Sequence, residues 1–174
     1  MLSNKPSRCP GSKPLICLLA AASMLSCSLA FADTISGSLN GEPQTWHVLK
    51  QSGASTVNFS ELSPGMLTVT LQGHLEERFA TQGTLSITFT MMNGELISPP
   101  EATYFHTSRF MPNYASQDTP EHWELSVSDV DGDSGHFAGR YQGTLELQGR
   151  PADDEADTLE LSVDFDVRAI REDG

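Results

Sequence analysis

Beyond Cys27 the chain has no cysteine, and beyond Lys13 it has a single lysine, Lys50. The first absence excludes a disulfide framework and a thiolate-held metal from everything downstream. Basic residues are scarce altogether, 10 against 23 acids for a formal net charge of −13. A phosphate backbone is bound by Lys and Arg, so nucleic acid is excluded as a partner. No apolar run reaches the roughly 20 residues needed to span a bilayer, and no stretch keeps a helical period. There is no glycine-rich phosphate loop, no G-x-S-x-G elbow, and no H-E-x-x-H or H-x-H spacing among His47, His74, His106, His122 and His136.

What is present begins with a leader. Lys5, Arg8 and Lys13 precede an eleven-residue apolar run, Leu15 to Leu25, and Ala30-Phe31-Ala32 offers a small-x-small cleavage site. This is the order of a secretory signal. Residues 1–32 are expected to be a cleaved signal peptide, with a mature domain over 33–174 in the periplasm or outside the cell. Met24-Leu25-Ser26-Cys27 supports a second processing route, in which a lipid on Cys27 anchors the chain to the envelope. Cleavage before Asp33 removes three bases and no acid, taking the net charge from −13 to −16. Such an excess keeps a protein soluble in high salt and fits a salt-tolerant host.

The mature segment alternates apolar and polar residues with period two, the mark of half-buried strands. Leu67, Val69 and Leu71 form one set, Leu85, Ile87 and Phe89 a second, and Trp123, Leu125 and Val127 a third. Leu159, Leu161, Val163, Phe165, Val167 and Ala169 oppose a charged face. From Phe137 to Leu147 one apolar face includes Gly139 and Gly143, a sign of curvature or of close approach by an aromatic ring. Asn40-Gly41, Pro64-Gly65, Gln82-Gly83 and Asn93-Gly94 punctuate the runs as turns. The pattern predicts one all-β domain, an antiparallel β-sandwich or a closed β-barrel of about eight or nine strands. Its core must hold it together without a disulfide, which a domain of this size can do.

Residues 98–121 break the pattern, with four prolines and several aromatics. Part of the segment, around Ala102 to Phe105, suits an edge strand, and the rest reads as a long loop. Long ordered loops in compact domains are often functional, and Tyr, Phe and Arg carry much of the energy at recognition surfaces. Tyr104, His106, Arg109, Phe110 and Tyr114 are therefore the candidate ligand-binding residues. The competing expectation is that these rings turn inward and close an open end of the core.

Other chemistry is weaker. Gly132-Asp133-Ser134-Gly135 resembles the nucleophile segment of chymotrypsin-like serine proteases, but the histidine context and the two barrels of that family are missing. Asp129, Asp131 and Asp133 are spaced like the first half of a calcium loop. Ser134 and Arg140 stand where an EF-hand needs Gly and Glu, which leaves a looser hairpin Ca²⁺ site. Asp153, Asp154, Glu155 and Asp157 read as a solvated loop. His122 with Glu124, and His74 with Glu76, would each share the polar face of a strand. The expected function is that of an exported cell-envelope protein, a non-catalytic binding or structural accessory domain whose partner is a protein or a small molecule. The alternatives are a small ligand-binding barrel or hydrolase with its site near 98–121, and a Ca²⁺-stabilised module.

Overall fold

A computed structural model describes residues 33–149 and 157–172. The leader, Cys27, and Asp153, Asp154 and Glu155 lie outside the described residues. Among those described there is no helix. β1 (Thr34–Leu39) and β2 (Glu42–His47) form a hairpin whose two turn residues, Asn40 and Gly41, have φ of 50° and 77°. A two-residue hairpin turn needs both centres left-handed, and Asn-Gly supplies that with least strain. β3 (Lys50–Gln51) and β4 (Ala54–Ser55) make a small separate ladder. β5 (Val57–Ser63), β6 (Met66–Gly73) and β7 (Thr84–Met92) follow in antiparallel succession, and β8 (Glu95–Leu96) folds back on the end of β7. β9 (Glu101–Phe105) pairs with β7, and β10 (Asn113–Ser116) with β9. β11 (His122–Asp131), β12 (Ser134–Gln148) and β13 (Thr158–Arg171) complete the chain as long antiparallel ladders.

These strands make one sheet in the order β11-β12-β10-β9-β7-β6-β5-β13-β1-β2, and β12 also pairs with β13. The path from β12 round to β13 therefore closes into a ring. It is not a barrel, because the two long strands each divide one edge between two neighbours. β11 and β10 share an edge of β12, and β1 and β5 share an edge of β13. The β5–β13 seam is parallel, with Ile170 opposite Asn58, which corrects the expectation of a wholly antiparallel sheet. No hairpin joins these two strands, so no turn dictates their direction. The described residues form thirteen strands rather than eight or nine. β3, β4 and β8 have two residues each and β10 has four, too short for a period to register.

The core lies inside the ring. Phe137 of β12 meets Phe59 and Phe89 edge-on at 6.3 and 6.0 Å, while Trp123 stacks on Phe165 at 5.7 Å. Leu161, Val163, Phe165, Val167 and Ala169 of β13 are all buried, and Asp164 on the opposite face bonds Arg140 across the ladder. One alternation fails. The β11 register passes from Leu125 opposite Gly139 to Val127 opposite Ala138, skipping Ser126. This β-bulge moves Val127 off the face that Trp123 and Leu125 share.

Arg171 closes the parallel seam. Its guanidinium lies over the Phe59 ring at 5.2 Å, donates to Glu61 Oε2 at 3.1 Å and donates to the Gly132 carbonyl at 3.2 Å. Hydrogen bonding from Arg171, then from the Gly65 amide, holds the Glu61 carboxyl below its ordinary value of 4.5. A carboxylate depressed on folding adds stability above its unfolded value and loses it as pH falls through the folded one. Glu61→Gln is therefore expected to lower the melting temperature at pH 7, and the gap to the parent should narrow on acidification below pH 4.5. Thermal melts of both proteins across that range check it; a gap that does not change with pH would separate the seam from Glu61 ionisation.

Candidate functional site

The site is built where β6 ends. Past Gly73 the backbone of His74 exchanges hydrogen bonds with His47 at 2.7 and 3.0 Å, which extends the hairpin of β1 and β2 across the top of β6. His74 is thereby buried, at 4% exposure. The chain then loops through 75–83 to β7. Gly83, at φ 80°, returns it to the sheet, and its amide donates to the Phe105 carbonyl at 2.7 Å. The Gly83 carbonyl accepts from the Trp46 indole at 3.1 Å, so the loop is held from both sides.

Between this loop and the turn after β9 lies a cleft of about 290 Å³. Its walls include Gln72, His74, Phe79, Thr84, Phe105 and Phe110. Phe79 packs edge-on to His74 at 5.6 Å, and Phe110 edge-on to Phe105 at 5.9 Å. Both Phe79 and Phe110 are largely exposed, at 60% and 73%. One exposed aromatic ring is ordinary, but two bordering the same cleft are informative.

The histidine carries a further detail. His74 Nδ1 lies 3.1 Å from the Ala80 carbonyl oxygen and 2.9 Å from Thr84 Oγ1, and the Thr84 hydroxyl donates to the same carbonyl. A carbonyl only accepts, so where the ring carries a single proton, that proton is on Nδ1. Nε2 is then a bare acceptor, and it has no partner and no contact with solvent. Buried polar atoms are ordinarily paired.

The five candidate residues of the 98–121 segment divide. Phe110 lines the cleft. Tyr104 and Tyr114 sit opposite each other on β9 and β10, and the His106 ring meets Tyr114 edge-on at 5.0 Å. Tyr114 is buried in a strand where a loop was expected, and its hydroxyl donates to Asp157 at 2.8 Å. Asp157 stays exposed just before β13, and from there it also accepts the bond that holds the Tyr114 ring in place. Partial burial pushes the Tyr104 phenol above its ordinary value of 10.0, so it stays protonated. Arg109 is exposed, its backbone amide held by the Thr107 hydroxyl at 3.2 Å. Tyr104, His106 and Tyr114 therefore pack rather than converge with Phe110 on the cleft.

The other candidates are placed as follows. Asp129 and Asp131 lie on β11 opposite His136 and Ser134, while Asp133 sits in the turn with its carboxylate 3.7 Å from Arg171 Nε. That guanidinium already brings positive charge to Asp133. Among the described residues no group of three or more His, Cys, Asp or Glu converges as a metal site. His122 and Glu124 share a face, 3.8 Å apart and exposed. His74 and Glu76 do not, because His74 is buried and Glu76 pairs with Arg78 in the exposed loop. His136 Nε2 lies 2.7 Å from Asp166 Oδ1 on an open strand face, both side chains over 40% exposed, a cross-strand hydrogen bond rather than a sheltered catalytic dyad.

In the other half of the cleft the sequence pattern marks His74 only as a neighbour of Glu76 on a polar strand face, and does not mark Phe79 or Thr84 at all. The available signal was Phe79, a lone aromatic directly after the charged stretch Glu76 to Arg78, in a segment bounded by Gly73 and Gly83. No protein-family model, no curated protein and no solved structure matches this chain.

Proposed function

We propose that this protein is exported and acts in the cell envelope as a non-catalytic β-sandwich domain that binds a small ligand in the cleft between Phe79 and Phe110. The basic leader, the apolar run from Leu15 to Leu25 and Ala30-Phe31-Ala32 support export. Aromatic side chains meeting from opposite arms of the ring, Phe59 and Phe89 against Phe137 and Trp123, support the sandwich. The observation that carries the binding reading is the cleft itself, with two exposed rings at its border and a buried histidine in its wall. Small-molecule sites are concave and mostly apolar, with a few fixed polar groups.

The test uses protein expressed with its own leader in a bacterial host. Material from the periplasmic fraction is expected to have the mass of a chain starting at Asp33. Titrated with benzene, it should show amide shifts concentrated at Ala80, Thr81 and Thr84, and Phe110→Ala should weaken them several-fold by removing apolar contact area. Shifts absent at saturating benzene, or spread evenly over the chain, would reject the cleft as the ligand site.

A further inference from the structure

We infer that the cleft selects a neutral, planar aromatic ligand carrying an N–H or O–H donor, and that His74 Nε2 is the atom that accepts it; this rests on the cleft being the ligand site. The size comes first. A cavity of about 150 Å³ holds a benzene-sized ring, so about 290 Å³ has room for a fused bicycle or a substituted ring. The shape follows from the walls. Phe105 and Phe110 offer ring faces and edges, against which a planar ring packs offset or edge-on.

The polarity comes from the bonds around His74. The Ala80 carbonyl and the Thr84 hydroxyl oxygen both take the Nδ1 proton, which leaves a lone pair on Nε2 with nothing to bind. Phe79 stands edge-on to that imidazole and is 60% exposed, so turning it aside uncovers the ring with little loss of buried area. A ligand whose ring takes the place of Phe79 and whose donor points at Nε2 satisfies both the apolar wall and the orphaned acceptor. A ligand presenting an acceptor would set lone pair against lone pair. Charge gives an anion no help, since no Lys or Arg lines the cleft and the loop beside it carries Glu77 next to the mutually neutralised Glu76–Arg78 pair.

The experiment titrates the protein with four probes, followed by NMR: benzene, indole, 1-methylindole and quinoline. Indole and 1-methylindole have nearly the same shape and differ in the donor, while quinoline carries an acceptor. Indole is expected to bind at least about tenfold more tightly than 1-methylindole, and quinoline no better than 1-methylindole. The ¹⁵N shifts of the His74 ring should show a protonated Nδ1 and a bare Nε2 in the free protein, with Nε2 moving when indole is added. If benzene and both indoles shift Ala80, Thr81 and Thr84 but the two indoles bind equally, the donor selectivity is wrong and the cleft remains a ligand site. A proton on Nε2 in the free protein would also overturn the selectivity. If no probe shifts these residues, the cleft reading fails and this inference fails with it.

Discussion

Cutting Phe137 back to alanine is expected to lower the unfolding free energy by about 3–5 kcal/mol. The ring is fully buried and bridges the two arms of the ring-shaped sheet, touching Phe59 of β5 and Phe89 of β7 from its place on β12. Alanine leaves a cavity that neither arm can fill, because β5 and β7 are each held by ladders on both sides. A domain of this size has about 5–15 kcal/mol in total, and with no cysteine after residue 27 no disulfide offsets the loss. Urea unfolding of Phe137→Ala beside Phe110→Ala makes the measurement. Phe110 is 73% exposed, and its removal should change stability by no more than about 0.5 kcal/mol. A loss below about 1 kcal/mol at Phe137 would mean that the two arms do not meet at this ring.

Most strands were legible in the sequence for a simple reason. A half-buried strand exposes every second side chain, and β6, β7 and β13 carry that alternation without interruption. The Asn40-Gly41 hairpin was legible because its backbone needs two left-handed residues. What local pattern does not carry is long-range pairing. Nothing around Ile170 or Asn58 announces that they meet in parallel, since that seam depends on how the whole sheet curls. Tyr114 falls in a proline-rich stretch with no strand period of its own; its four-residue strand exists because β12 extends past β11 and leaves Glu146 and Leu147 to be paired. The site divides along the same line. Phe110 was legible as an aromatic in an irregular segment. His74 was not, because its burial is imposed by His47, distant in sequence, through a backbone bridge.

The sharpest test of the sheet's geometry is a single methyl group. Glycine inside a strand usually weakens it, so Gly→Ala in a strand would ordinarily stabilise by about 0.5–1 kcal/mol. At Gly139 the sign should reverse, with Gly139→Ala losing about 3 kcal/mol. A Cβ there would sit 2.1 Å from the Glu124 carbonyl oxygen and 2.9 Å from Phe165 Cζ. The first obstacle is backbone, which has no rotamer to yield. It lies there because β11 has one residue more than β12 beside Ser126, and the strand bends inward as it enters the bulge. The bulge and the glycine are thus one device, and a side chain on β12 must push β11 away. Gly143, four residues on along the same face, supplies the contrast. Its added Cβ would first meet the Tyr141 hydroxyl at 3.1 Å, the far end of a side chain, and Gly143→Ala should change stability by less than about 1 kcal/mol. Hydrogen exchange separates the mechanisms, because strain at the bulge should strip protection from β11 amides while β13 keeps its own. Equal stability of Gly139→Ala and the parent would mean that β11 does not approach β12 at Glu124, and the bulge would have to be placed elsewhere.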